Sequence, residues 1–121
     1  MITYKKLDTW KKSMELVKTV YQLVKHYPKE ELYGLSSQTK RAAVSIPANI
    51  AEGVGRNYKK DTIQFLHISR GSMYELDTLL NVAVMNEFVP EIAFSEISDK
   101  IEECLKMING LISYYEKSSL K

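Results

Sequence analysis

Five cations, Lys40, Arg41, Arg56, Lys59 and Lys60, gather in one stretch of this chain, offset there only by Glu52 and Asp61. Lysine and arginine make charge-assisted hydrogen bonds to phosphate oxygens, so the stretch is a candidate nucleic-acid contact. The plainer reading is a solvated helix end. No motif that reads base edges accompanies the cations, and no sheet-type aromatic platform for single strands is evident. Binding there would be sequence-independent and steeply salt-dependent.

Other residue types that do chemistry stand apart. His67 follows Gln64 by three positions and His26 follows Leu23, so the Glu-x-x-His pairs of di-iron bundles are missing. Neither histidine has metal-ligand spacing to a second His, Cys or carboxylate pair, and no metal is expected. Cys104 falls on an apolar helical stripe and reads as a small core residue, since a nucleophile would need a positioned base. Gly53-Val54-Gly55 follows a helix instead of opening one, unlike a phosphate-cradling loop. Asn49 and Glu52, among alanines, suit a polar site or an intersubunit contact, but more simply satisfy backbone groups freed by Pro47. The chain is therefore expected to be no enzyme and to need no cofactor.

Four helical segments must position these residues. In the first, Leu7, Trp10, Met14, Val17, Tyr21, Val24 and Tyr27 recur at three- and four-residue steps, with Asp8 or Thr9 as cap and Pro28 as stop. Gly34 suits a left-handed turn, and Ser36 or Ser37 a second cap. The second stripe is Leu35, Thr39, Ala42, Ala43, Ile46, Ile50 and Val54, with Gly53 or Gly55 ending the helix. This stripe runs straight across Pro47. A mid-helix proline costs about 3 kcal/mol, and burial of Ile46 and Ile50 offsets it, so a continuous, kinked helix is expected.

The third segment, from about Lys59 to Asn86, buries Phe65, Leu66, Ser69, Ser72, Met73, Leu76, Leu79, Leu80 and Ala83. Gly71 in its middle predicts close contact with another helix. The fourth, after a turn at Glu87–Glu91, carries Phe94, Ile97, Ile101, Cys104, Leu105, Ile108, Leu111, Ile112 and Tyr115. Met107 and Tyr114 lie on a second apolar face that marks a candidate oligomer interface. Short loops between helices of similar length make antiparallel neighbours. The fold expected is all-α, an up-down-up-down four-helix bundle forming a single domain over residues 1–121.

Charge is unevenly spread. Residues 1–70 hold 13 Lys and Arg against 6 Asp and Glu, net +7; residues 71–121 hold 4 against 9, net −5. In the expected topology the basic first helix lies beside the acidic fourth, so part of the imbalance would cancel within one subunit. The lone cysteine rules out an internal disulfide and suits a reducing cytosol. No run approaches the ~18 apolar residues of a membrane span, and the first residues have no apolar signal region, so a cytoplasmic chain is expected.

Gly34-Leu35-Ser36-Ser37-Gln38, followed by Lys40 through Gly53, resembles the hallmark of the four-helix-bundle family tied to 23S rRNA intervening sequences, also labelled S23 ribosomal protein. Phe65-Leu66 with Gly71-Ser72 and Glu75-Leu76 is similar to its second motif, and Trp10 and Tyr27-Pro28 match as well. Lys40, where the family usually has arginine, and Tyr58, where a capping serine is common, depart from it. The resemblance implies a bundle without catalytic residues and a barrel-shaped homopentamer. It extends to the accessory variability protein of diversity-generating retroelements, which partners a reverse transcriptase and nucleic acid. The function expected is a homo-oligomeric binding or scaffold protein associated with RNA. The alternative is a protein-interaction module for a partner such as a reverse transcriptase, without nucleic-acid contact.

Overall fold

The computed structural model describes residues 3–121. Four helices carry the chain: α1 Asp8–Val24, α2 Leu35–Val54, α3 Lys59–Met85 and α4 Glu91–Lys117. Short 3-10 helices precede α1 at Thr3–Lys6 and follow it at Lys29–Glu31. Each helix packs on its neighbours in chain order and α4 closes back on α1, while the diagonal pairs do not meet. That is a square, antiparallel up-down-up-down bundle. Among the described residues there is no strand, and no helix is long and apolar enough to cross a membrane.

The stripes of α2, α3 and α4 lie where periodicity places them. Ala43, Ile46 and Ile50 of α2, Leu66, Met73, Leu76 and Leu80 of α3, and Ile108 of α4 are sealed from solvent. On α1 the core row is instead Ser13, Leu16, Val20 and Val24, continued by Tyr27. Met14 and Tyr21, expected inside, are 43% and 40% exposed, and Trp10 and Val17 are half-buried. Two apolar rows share this helix, and periodicity alone does not choose between them.

The helix ends differ from expectation. Leu7 and Tyr58 occupy the N-cap positions of α1 and α3 with no side-chain cap, and Asp8 lies in the first turn of α1. Gly34 precedes α2 with φ −112° and is not left-handed. Ser36 is buried, and the Glu31 carboxylate accepts from the free Leu35 N–H at 3.3 Å in place of a serine cap. Gly55 does cap the end of α2, as expected, though with φ −80° it is not left-handed. Only Glu87 has a positive φ, 63°, among the described residues.

Helix α2 is continuous through Pro47. Proline lacks the N–H that would reach the Ala43 carbonyl. Asn49 does not compensate there: its amide donates to the Ser45 carbonyl at 2.8 Å and the Ser45 hydroxyl at 2.9 Å. Gly53 is buried in the last turn of α2, one residue before its end. A Cβ on it would stand 2.8 Å from Cβ of Phe65 and 3.1 Å from the Thr62 carbonyl, so its glycine permits a close approach of α2 and α3 there. Gly71 does the opposite. It is exposed, and a Cβ there would meet nothing within 4 Å, so the close helix contact expected of it is not made within this chain.

Candidate interaction surfaces

The five candidate cations do not form one patch. Lys40 and Arg41 lie in the first half of α2, whereas Arg56, Lys59 and Lys60 bracket the turn beyond its far end. At 1.5 Å rise per residue, Arg41 and Arg56 are ~22 Å apart, the span of about six phosphates along one strand of a duplex.

Two of the far group are already engaged. The Arg56 guanidinium stacks 4.6 Å from the Phe65 ring centre and pairs with Glu52 at 3.5 Å. Lys59 donates from Nζ to the Ser118 carbonyl at 3.1 Å and from its backbone N–H to the Lys121 carbonyl at 2.9 Å. Lys60 is exposed on the first turn of α3. Antiparallel packing brings the starts of α1 and α3 and the ends of α2 and α4 together. Lys5, Lys6, Lys117 and Lys121 therefore join this end of the bundle, against Asp8, Glu52, Asp61 and Glu116. These four lysines are far apart in sequence, so only topology assembles the set.

Lys40 and Arg41 instead rim a groove of about 740 Å³ between α1 and α2. Its walls are mostly apolar: Tyr21, Val44, and Leu32 and Tyr33 from the connecting segment. The Lys40 ammonium sits 5.2 Å from the centre of the Tyr21 ring, within cation–π range. Arg41 donates only a long bond, 3.4 Å, to the Ser37 hydroxyl. Tyr33 is 93% exposed. The sequence signal for this groove was Leu32-Tyr33, a large apolar pair in a connecting loop.

Asn49 belongs to a polar seam between α2 and α3. The Ser45 hydroxyl, which accepts from Asn49, shares a 2.9 Å hydrogen bond with the Ser72 hydroxyl. Ser69 donates to the Ile46 carbonyl and Thr62 to the Gly53 carbonyl, each at 2.8 Å. Thr62, Ser69 and the Ser45–Ser72 pair join the two helices, while Asn49 bonds only within α2. The other candidate interface residues separate by exposure, Tyr114 standing out against Tyr115 in a T-shaped pair and Met107 being half-buried.

The titratable groups offer little reactivity. Cys104 is buried, and burial, with Glu103 adding to it, pushes its thiol up to about 11, far from a thiolate at neutral pH. Burial also pushes the Tyr27 phenol up to about 12. The Thr39 hydroxyl lies near enough to hold that shift back, yet it donates to the Leu35 carbonyl at 2.7 Å, and Tyr27 is left without a hydrogen-bond partner. His26 lines a second groove, of about 540 Å³ between α1 and α4, with Leu23, Phe88, Ala93 and Glu96. No group of three His, Cys, Asp or Glu among the described residues could hold a metal ion.

Comparison with known proteins agrees with this architecture. No curated protein matches the chain. A crystal structure of a protein with unknown function from the S23 ribosomal protein family of Bacteroides thetaiotaomicron superimposes with a TM-score of 0.80 at 24% identity, covering 87% of this chain and 95% of that one. At that identity the likeness is one of fold. The family model described as 23S rRNA-intervening sequence protein matches residues 5–110. By that match, which takes in all of the first three helices and most of the fourth, the chain belongs to the 23S rRNA-intervening sequence protein family.

Proposed function

We propose that this chain is a non-enzymatic, self-assembling binding protein, a homopentamer as its family resemblance implies, that holds RNA at its basic end. The observation that carries the reading is the outward side of α2. A corner helix of a soluble bundle ordinarily turns charged residues outward. Here Val44 is 42% exposed and Ala48 lies open one turn on, with Arg41 and Glu52 flanking them. Met14 and Tyr21 add apolar surface on the adjoining flank of α1. Exposed apolar surface of this kind suits association. Light scattering at micromolar concentration tests it. The expected mass is a multiple of 13.9 kDa, and Val44→Asp with Ala48→Asp is expected to bring it to one chain. A wild-type mass of 13.9 kDa would overturn the reading.

The RNA part of the proposal rests on Arg56, Lys59 and Lys60, with Lys5, Lys6 and Lys117 on the same end. Affinity for a labelled RNA is expected to fall steeply with salt, each phosphate contact adding about −0.7 to the log–log slope for a single strand. Changing Arg56, Lys59 and Lys60 to glutamine is expected to abolish binding with helicity intact. Unaltered affinity in that variant would clear this surface of the role. The engagement of Arg56 and Lys59 within the chain favours a second reading, a module that binds a protein partner instead. No RNA binding at low salt, with a partner retained after nuclease treatment, would select it.

A further inference from the structure

From Gly71 to Asp99 the chain has six acidic residues and no Lys, Arg or His. This stretch forms the second half of α3, the α3–α4 turn and the first turns of α4. At its tip Met85 and Ile92 are 76% and 74% exposed, with Glu87 and Glu91 beside them. The turn is closed by the Phe88 N–H donating to the Ala83 carbonyl at 2.8 Å and the Glu87 N–H to the Val84 carbonyl at 3.0 Å. That pattern puts Glu87 at the left-handed position where glycine costs least. A glutamate is thus held where the local backbone favours another residue, and strain of this sort points to a use elsewhere.

The α1–α2 groove has the opposite character. Its walls are Tyr21, Leu32, Tyr33 and Val44, and its rim is Lys40 and Arg41. None of Lys40, Arg41, Glu87 and Glu91 forms an ion pair among the described residues. Only Lys12 and Glu103, 3.4 Å apart, form an ion pair between two helices among the described residues, and it lies away from both features. The compensation expected between α1 and α4 therefore amounts to that pair. The α1–α2 and α3–α4 edges are opposite sides of the helical square. Groove and tip also lie at the same end of the bundle, where α1 and α3 finish.

We propose that the α3–α4 tip of one copy seats in the α1–α2 groove of the next, with Met85 and Ile92 on its apolar walls and Glu87 and Glu91 toward Lys40 and Arg41. The proposal rests on the self-assembly reading and names the surfaces that carry it. The contact is heterologous, because tip and groove face opposite ways. Repetition closes a ring, or a filament if the rotation does not close. A groove-to-groove dimer would set Lys40 and Arg41 against their own kind, and like charges suppress such pairings. Seating also withdraws Lys40 and Arg41 from nucleic acid, leaving the far end of the bundle for RNA.

Charge reversal tests this directly. Lys40→Glu with Arg41→Glu gives an all-acidic contact, and Glu87→Lys with Glu91→Lys an all-basic one. Each variant, helical by circular dichroism, is expected to associate about tenfold or more weakly than wild type by light scattering. Their equimolar mixture is expected to associate more strongly than either variant alone, into open or even-membered assemblies, since alternating subunits restore opposite charge at every contact but one of a five-membered ring. Glu87→Gly, which relieves the turn, is expected to melt higher and assemble less. Wild-type assembly in both reversed variants, or a mixture that stays dissociated, would overturn the proposal while leaving self-assembly standing. A monomeric wild type would remove self-assembly itself.

Discussion

Tyr27 is a core residue with a fault. It is 7% exposed, leans on Phe88 with ring centres 6.0 Å apart, and leaves its hydroxyl unpartnered. An unsatisfied buried hydroxyl costs about 1–3 kcal/mol, so Tyr27→Phe is expected to raise stability by about 1 kcal/mol near neutral pH, measured by urea unfolding. The pH dependence has a definite sign. The phenol ionises at about 10 when unfolded and about 12 when folded. The unfolded chain loses the proton first, so this group's contribution is intact below pH 10 and is lost as pH rises to about 12. Tyr27→Phe is expected to flatten that part of the alkaline decline; an unchanged slope would place the titration elsewhere. Tyr27 was legible as a core position from its spacing. Its missing partner was not, because Thr39 turns toward Leu35 only in three dimensions.

Two glycines set the argument for the helices. Gly53→Ala would force Cβ into Phe65, and the α2–α3 seam must shift, at about 1–3 kcal/mol. Gly71→Ala meets open space and replaces the poorest helix former after proline, so a gain of about 1 kcal/mol is expected. Thermal unfolding of the two variants checks both signs. A loss at Gly71 would show that this face packs tightly on another copy. The sequence placed Gly53 and Gly55 rightly at the end of α2 but assigned the close approach to Gly71, because residue type signals a need for space and not who fills it. Continuity through Pro47 was legible, since Ala43, Ile46 and Ile50 kept one face on both sides of it. The burial of α1 was not. Leu16 and Val20 compete there with Met14 and Tyr21, and only packing against α2 and α4 decides. The cap at α2 escaped notice because its acceptor, Glu31, lies outside the helix, while the serines expected to cap it lie within.

At the scale of the molecule, the charge imbalance between the two halves of the chain becomes a spatial polarity. One end of the bundle gathers Lys5, Lys6, Arg56, Lys59, Lys60 and Lys117, and the α3–α4 edge near the other end is acidic. The imbalance was plain from composition. Its geometry was not, because topology decides that the start of α3 meets the end of the chain, as the bonds from Lys59 to Ser118 and Lys121 record. The family resemblance, carried by the Gly34–Gly53 stretch, implied the architecture and left the candidate surfaces open, since that stretch mixes packing residues such as Ala43, Ile46 and Ile50 with exposed ones such as Arg41, Val44 and Ala48 and residue type does not say which face meets a partner.

The seam between α2 and α3 has a kinetic consequence. Three α3 side chains, Thr62, Ser69 and Ser72, cross to α2, two of them onto backbone carbonyls, while α1 and α4 share one exposed ion pair. Partial opening should follow that difference. The α2–α3 hairpin is expected to open as one cooperative unit, and α1 to detach before it. Amide hydrogen exchange is expected to be slowest at Ile46, Ile50, Leu66 and Met73 and faster by orders of magnitude along α1, with Thr62→Val and Ser69→Ala narrowing the gap. Each transient release of α1 would dismantle one wall of the basic groove, so the lifetime of that helix on the bundle sets an upper limit on how long anything can reside there.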